Sequence, residues 1–228
     1  MKFWLNLLMG FLIAANFLAI YFLDEYVDRW FRFGATFLFL LIYILKYFSN
    51  YRLLFIFLLL ALCDGLLVYY EIPFLKKIIY TVRILAYLNI ILLIAPSLSK
   101  LKLNLFTVLI SIFIITIDIY LLHEMAKSLP KSDQNPIFII LFYLLGITSL
   151  AIAAVSMSYL NRYANKAGFY LVIVSFGLIL SDIFFYNAYY LDFEEFYYLD
   201  RLANIIAISF LLAFGSTQKI TGSEANIS

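Results

Sequence analysis

The stretch LLLALCDGLLVYYEI, residues 58–72, places one aspartate inside an otherwise apolar run. The run has the character of a membrane-spanning helix, and Asp64 stands near its middle. A charged side chain in the hydrocarbon of a bilayer costs about 3 kcal/mol on insertion scales, so it faces the bundle interior and has a partner or a chemical role.

The whole chain has the composition of an integral membrane protein. Of its 228 residues, 66% are hydrophobic and 13% are charged, and the mean hydropathy is +1.00. A soluble domain is closer to half apolar, so too little polar surface is present here to cover one. The net charge of +2 indicates no nucleic-acid partner, and the single cysteine, Cys63, excludes an intrachain disulfide.

Apolar runs of about 20 residues predict an all-α, polytopic membrane protein, because a helix of that length crosses the hydrocarbon. The predicted fold is one domain of eight transmembrane helices over residues 1–216, followed by a loose polar tail over 217–228. The first run is too long for a signal-peptide core and is interpreted as a retained helix. We expect a multi-pass protein of the bacterial inner membrane with both termini inside. The predicted spans are 3–23, 30–48, 51–70, 75–95, 101–122, 136–160, 167–190 and 196–215.

A short internal similarity suggests two four-helix halves. Asp64 precedes Arg83 by 19 residues, and Asp182 precedes Arg201 by the same number. The flanking sequences ALCDGLL and ILSDIFF are similar, as are RILAYLNI and RLANIIAI. Parallel repeats of this kind occur in membrane proteins. A match this short also arises by chance, so both interpretations stay open.

The intramembrane charges are predicted to lie in one half of the membrane. At 1.5 Å per residue, Asp64 lies about 9 Å and Asp182 about 12 Å from the outer end of its helix. Arg83, Arg201 and Asp118 are shallower on the same side. This distribution predicts a polar cavity that opens toward one leaflet.

The same residues also permit a purely structural interpretation. Asp64 with Arg83, and Asp182 with Arg201, would then be salt bridges that hold neighbouring helices together. The two interpretations are compatible, since an arginine can orient a reactive carboxylate. Tyr87 lies one helical turn from Arg83 and would line the same face.

The layout and two short motifs resemble a known family. Eight predicted spans in 228 residues, Asp64 in LCDGLL and Ser181-Asp182 in LILSDIFF resemble the YhhN-like family of integral membrane lysoplasmalogenases. That family commonly has Lys-Pro at the end of the second helix, and here Lys46 stands in ILKYF without the proline. Cys63 occupies a position that is usually glycine in the family. Asn89 stands where a histidine is expected.

The resemblance implies hydrolysis of the vinyl ether bond of a lysoplasmalogen to a fatty aldehyde and a glycerophospho-alcohol. Cleavage begins with protonation of an alkene carbon and continues with addition of water, which suits one carboxylic acid and one carboxylate base. Asp64 and Asp182 are the expected catalytic pair, and Arg83, Arg201 or Lys46 would hold the phosphate. The residues expected to bind substrate are Lys46, Arg83, Tyr87, Asn89, Tyr186 and Arg201.

The expected partners are the lysophospholipid substrate and the bilayer, and the chemistry requires neither a metal nor another cofactor. The sequence does not determine the oligomeric state. Two other classes of function stay open. A small-molecule transporter is favoured by the internal similarity and the Asp/Arg pairs. A lipid-binding family member without catalytic activity is favoured by Asn89.

Overall fold

The chain folds into a bundle of α-helices in a computed structural model that describes residues 3–48, 50–98, 116 and 119–225. A π-helical turn over Tyr43–Tyr47 continues the second helix, and short 3-10 turns follow the fourth and fifth. No β-strand is present among the described residues. The helices are α1 (Phe3–Phe22), α2 (Glu25–Ile42), α3 (Tyr51–Leu67), α4 (Pro73–Ile94), α5 (described over 119–127), α6 (Pro136–Tyr163), α7 (Lys166–Tyr190) and α8 (Phe196–Ala225).

The lengths and apolarity of the helices make this a multi-pass membrane protein, as the sequence predicted. Six of the described helices are long and apolar enough to cross a membrane, namely α1, α2 with its π-helical end, α4, α6, α7 and α8. The α3 helix has 17 residues and would extend about 26 Å, slightly less than a typical hydrocarbon core. Most of the predicted fifth span, 101–122, lies outside the described residues, as does Asp118. The prediction of eight spans therefore stays a prediction.

Two predicted helix boundaries differ from the structure by about five residues or more. The predicted start of the second helix at residue 30 is wrong, because α2 begins at Glu25. Its first turn carries Glu25 and Asp28, and carboxylates are favourable there because they face the positive end of the helix dipole. The α8 helix continues to Ala225, through most of the segment that was predicted to be a loose tail.

Asparagine caps define the starts of three helices. The side chains of Asn50, Asn135 and Asn165 accept hydrogen bonds from backbone N–H groups in the first turns of α3, α6 and α7. Such caps satisfy amides that have no partner within the helix. A proline at the first position of α4 and of α6 also favours the start of a helix. It has no N–H, and an N–H at that position would have no partner within the helix.

The α8 helix is the most enclosed of the candidate spans. In its most apolar 18-residue stretch 72% of the residues are buried, against 22% for α1 and for α6. It packs against α1, α2 and α7. A Cβ atom added to Gly177 of α7 would lie 2.9 Å from the Cβ of Ala207 and 3.0 Å from the carbonyl oxygen of Ala203. Small residues thus bring α7 and α8 close together, a packing mode common in membranes, and this places Ser181 against the start of α8.

Candidate functional site

Charged side chains from five helices meet inside the bundle. They lie near the end where residues 68–72 connect α3 to α4 and residues 191–195 connect α7 to α8. Buried charges are expensive unless they are paired and hydrogen-bonded. Every side chain in this cluster accordingly has a partner of opposite charge. The buried charged members are Asp28, Arg29, Arg32, Asp64, Arg83, Asp200 and Arg201.

Asp64 is held as a hydrogen-bond acceptor by three donors. Arg32 Nε lies 2.9 Å from Oδ1 and forms an ion pair with this carboxylate. Thr36 Oγ1 donates to Oδ2 at 2.5 Å, and Asn204 Nδ2 donates to the same oxygen at 3.2 Å. The residue is 1% exposed. The carboxylate of α3 is therefore oriented by α2 and α8.

Asp182 is held by two residues of α4. Arg83 Nη2 lies 2.8 Å from Oδ1, and Arg83 Nε lies 3.0 Å from Oδ1 and 3.3 Å from Oδ2. The hydroxyl of Tyr87 donates to Oδ2. The Asp182 side chain is 23% exposed, whereas Asp64 is almost fully enclosed. The predicted ion pairs of Asp64 with Arg83 and of Asp182 with Arg201 are both absent among the described residues.

Arg201 instead completes a chain of alternating charges. Arg32 Nη1 lies 2.5 Å from Asp200 Oδ2, and Arg201 binds the same oxygen. Arg201 also pairs with Asp28. The order is thus Asp64, Arg32, Asp200, Arg201, Asp28, with three carboxylates and two guanidinium groups. Ser181 supports the middle of the chain, because its Oγ donates to Asp200 Oδ1 at 2.5 Å.

Asp28, Arg32 and Asp200 were not among the predicted site residues. Asp28 and Asp200 lie in the acidic stretches DEYVD and LDFEEFYYLD, whose many charges are typical of solvated segments. In the structure both stretches enter helices, and both aspartates are buried. The available signal was helical spacing, since Asp28, Arg32 and Thr36 follow one another by four residues and so share a face of α2.

The two candidate catalytic carboxylates line one small cavity. It has a volume of about 50 Å³, and Arg32, Asp64, Arg83 and Asp182 are among the residues that line it. A water molecule occupies roughly 30 Å³ in the liquid, so the space suits one or two waters and not a lipid. Arg83 Nη1 is buried and has no hydrogen-bond partner among the described protein atoms. A water in this cavity would satisfy that nitrogen.

Tyr70 lines the same cavity from the turn between α3 and α4. Burial raises the pKa of this phenol well above its usual value. Its hydroxyl lies 3.0 Å from that of Tyr190. Tyr70 therefore remains a neutral hydroxyl that closes the cavity on this side.

A second, larger and mainly apolar cavity adjoins Asp182. Its volume is about 280 Å³, and it lies between α5, α6 and α7. The two cavities share Tyr80, Leu145, Asp182 and Tyr186 as lining residues. Asp182 is thus the carboxylate that lines both cavities, whereas Asp64 lines only the smaller one.

A third cavity lies at the other end of the charge chain. It has a volume of about 650 Å³ and is lined by Asp28, by acidic residues including Glu25 and Glu194, and by tyrosines including Tyr197. Arg29 lies beside it and pairs with Glu25 at 2.5 Å and with Glu71 at 2.7 Å. The chain from Asp64 to Asp28 therefore connects two separate cavities.

The remaining predicted substrate-binding residues lie in different places. Tyr186 lines both cavities beside Asp182, and its hydroxyl donates to the carbonyl of Met125. Lys46 lies ten residues beyond Thr36, in the π-helical turn that continues α2 and about 15 Å further along the helix axis, and its ammonium sits over the ring of Trp4. Asn89 donates to the carbonyl of Leu85 in its own helix. Lys46 and Asn89 line none of the three cavities, so they are separated from the carboxylate pair.

A further buried ion pair, outside the charge chain, lies beside this site. Lys76 Nζ of α4 lies 2.5 Å from Asp133 Oδ2, in the segment between α5 and α6. The ammonium is also within 5.1 Å of the ring centres of Tyr70 and Tyr189, and within 5.5 Å of that of Tyr190. Tyrosine faces attract a cation at such distances. Asp133 lies between two predicted spans, 101–122 and 136–160, yet it is 4% exposed.

Comparison with models of known protein families, with curated proteins and with solved structures finds no match for the chain. The chemistry of the site must therefore be argued from its own geometry.

Proposed function

We propose that the chain is a membrane-embedded hydrolase that cleaves the vinyl ether bond of a lysoplasmalogen-type lysophospholipid. One observation carries the proposal: Asp64 and Asp182 line the same cavity, which has room for water, and Asp182 also borders an apolar cavity. The resemblance of the layout and of the two Asp motifs to the YhhN-like lysoplasmalogenases supports the same function. An eight-helix arrangement in the bacterial inner membrane belongs to this proposal.

The geometry suggests different roles for the two carboxylates. Asp182 would contact the vinyl ether, because it alone of the two adjoins the space in which an alkyl chain fits. Asp64 would activate the water, because it is enclosed against the small cavity and oriented by Arg32, Thr36 and Asn204. In the structure Asp182 accepts hydrogen bonds from Arg83 and Tyr87. Its role as an acid requires the protonated form of this carboxyl group in the substrate complex.

The reaction then runs in three balanced steps. Protonated Asp182 gives its proton to the alkene carbon remote from the ether oxygen, which leaves an oxocarbenium ion and an Asp182 carboxylate. Asp64 removes a proton from the cavity water as its oxygen adds to the cation. The hemiacetal then loses its hydroxyl proton to Asp182 while Asp64 protonates the departing ether oxygen. The products are an aldehyde and an alcohol, and both carboxyl groups return to their starting states.

Arginines have distinct roles in this proposal. Arg83 orients Asp182, and its Nη1, which has neither a hydrogen bond nor an ion pair among the described atoms, is the donor available to water or to a phosphate oxygen. Arg201 is completely buried and paired on both sides with Asp28 and Asp200. It acts as a positioning residue of the charge chain and does not contact substrate.

A second candidate function is lipid binding without catalysis. It is favoured by the observation that both carboxylates are already paired with an arginine, Asp64 with Arg32 and Asp182 with Arg83. Complete pairing is also what a purely structural network requires.

The test is aldehyde release from a lysoplasmenyl lipid by the purified protein in lipid nanodiscs. A lysolipid with a saturated alkyl ether serves as the uncleavable control. Asp64→Asn and Asp182→Asn should each lower the rate by about 10²–10⁴-fold, the usual contribution of a general acid or base. Glu124→Gln, at an exposed position, should not. Release that neither Asp variant lowers would refute the site, and lipid binding without any release would establish the second candidate.

A further inference from the structure

The cavity between α5, α6 and α7 has the lining of a site for a hydrocarbon chain. Its apolar lining includes Leu122 and Met125 of α5, Phe142 of α6 and Ile179 of α7. Gly146 brings the α6 helix close to α5, because a Cβ atom there would lie 2.3 Å from a methyl carbon of Leu122. The apolar walls therefore come from three helices that pack directly on one another.

Polar groups form the smaller part of the lining of this cavity. Asp182 borders it and is the charged residue of its lining. Two other polar side chains have protein partners: Tyr186 donates to the carbonyl of Met125 at 2.5 Å, and Ser149 donates to the carbonyl of Leu145 at 2.8 Å. A ligand therefore meets mainly apolar walls and a single carboxylate.

The size and the rim of the cavity indicate a single chain. An engineered apolar cavity of about 150 Å³ accommodates benzene, so a volume of about 280 Å³ has room for on the order of ten carbon atoms. Leu121 and Ile183 at the rim are 52% and 39% exposed. They face outward from a bundle that lies in a membrane, so a longer chain can continue from the rim into the lipid.

We infer that this cavity binds the hydrocarbon chain of a single-chain amphiphile, with the polar end of the ligand at Asp182. The inference deepens the proposed function, because it identifies where the chain of the substrate lies. Chain binding itself does not depend on turnover. The two can therefore fail separately.

The test uses a lysophosphatidylcholine with a photoreactive diazirine in its chain, added to the full-length protein in nanodiscs. Labelled peptides are identified by mass spectrometry. We expect labelling on the inward residues of α6 and α7 that line the cavity. Ser149→Phe fills the cavity and should abolish this labelling, whereas Ile147→Phe adds the same ring on an outward face of α6, 53% exposed, and should preserve it.

A second variant protects the result against misfolding of Ser149→Phe. Ile183→Trp obstructs the rim at a partly exposed position and should also reduce labelling inside the cavity. Labelling confined to outward faces, or labelling unchanged in both Ser149→Phe and Ile183→Trp, overturns the inference.

The two proposals are distinguished by their readouts. Aldehyde release without labelling of the cavity would support the proposed function and refute this inference. Labelling of the cavity without aldehyde release would support this inference and refute the proposed function.

Discussion

Arg83 of α4 forms its ion pair with Asp182 of α7, 99 residues away, and not with Asp64 of the preceding helix. The guanidinium binds both oxygens of Asp182, and Tyr87 one turn later binds the same carboxylate. Asp64 is satisfied independently by α2 and α8. The two carboxylates thus face one cavity but are oriented by separate sets of helices. This arrangement keeps two negative charges close without a direct contact between them.

The first prediction concerns the coupling between Arg83 and Asp182. In a double-mutant cycle with Arg83→Met and Asp182→Asn, we expect a coupling free energy of roughly 0.5–3 kcal/mol, as for residues in direct contact. The cycle with Arg83→Met and Asp64→Asn should give a smaller value, because no ion pair joins those residues. Unfolding of the purified protein in detergent micelles by increasing SDS measures both. A larger coupling with Asp64 would contradict the pairing described above.

The membrane class and most helix positions could be predicted because they depend on local composition. Runs such as 136–160 and 167–190 are apolar for the length of a membrane crossing, and the structure has α6 and α7 there within a few residues. Helical spacing also placed Tyr87 on the face of Arg83. These properties are carried by neighbouring residues in the chain, so a single sequence contains them.

The partners inside the cluster could not be predicted in the same way. Arg32 pairs with Asp200, 168 residues away, and Arg201 with Asp28, 173 residues away. Such pairs depend on which helices are neighbours, and periodicity within one helix carries no information on that. The acidic stretches around Asp28 and Asp200 also have the composition of solvated segments. Their burial is possible only because distant arginines neutralise them.

A second prediction concerns Arg32, which pairs with both Asp64 and Asp200. Arg32→Met leaves both carboxylates buried with less compensation, so we expect a loss of about 3–5 kcal/mol in the free energy of unfolding. Arg52→Met is the matched control, because Arg52 is exposed and its head group donates to the carbonyl of Leu92. SDS unfolding of both variants measures the difference.

Removal of the charges on both sides should recover part of that loss. The triple variant Arg32→Met, Asp64→Asn, Asp200→Asn removes the guanidinium and both carboxylates that pair with it. No buried carboxylate is then left without the cation that neutralised it. The triple variant is therefore expected to be more stable than Arg32→Met alone. An Arg32→Met protein as stable as the Arg52→Met control would show that these contacts do not stabilise the fold.

A third prediction concerns the close approach of α7 and α8 at Gly177. Gly177→Ala introduces a Cβ atom 2.9 Å from the Cβ of Ala207 and 3.0 Å from a backbone oxygen, so the helices must separate. Overpacking of this kind destabilises by about 1–3 kcal/mol. Gly10→Ala in α1 is the control, because a Cβ atom there meets nothing within 4 Å. Equal thermal stability of the two variants in detergent would mean that α7 and α8 are not in such close contact.

The last prediction concerns Lys76 and Asp133, which tie the segment between α5 and α6 to the start of α4. In Lys76→Met, Asp133 keeps only the hydroxyl of Tyr190 as a partner among its described contacts, and this segment should detach from the bundle. Hydrogen–deuterium exchange should then accelerate at the amides of residues 128–135. Lys77→Met removes the same charge one residue away and should leave the exchange unchanged.

The double variant Lys76→Met, Asp133→Asn should restore slow exchange in part, because an amide is less costly to bury than an unpaired carboxylate. Unchanged exchange in Lys76→Met would show that apolar packing and the surrounding tyrosines hold the segment without the ion pair.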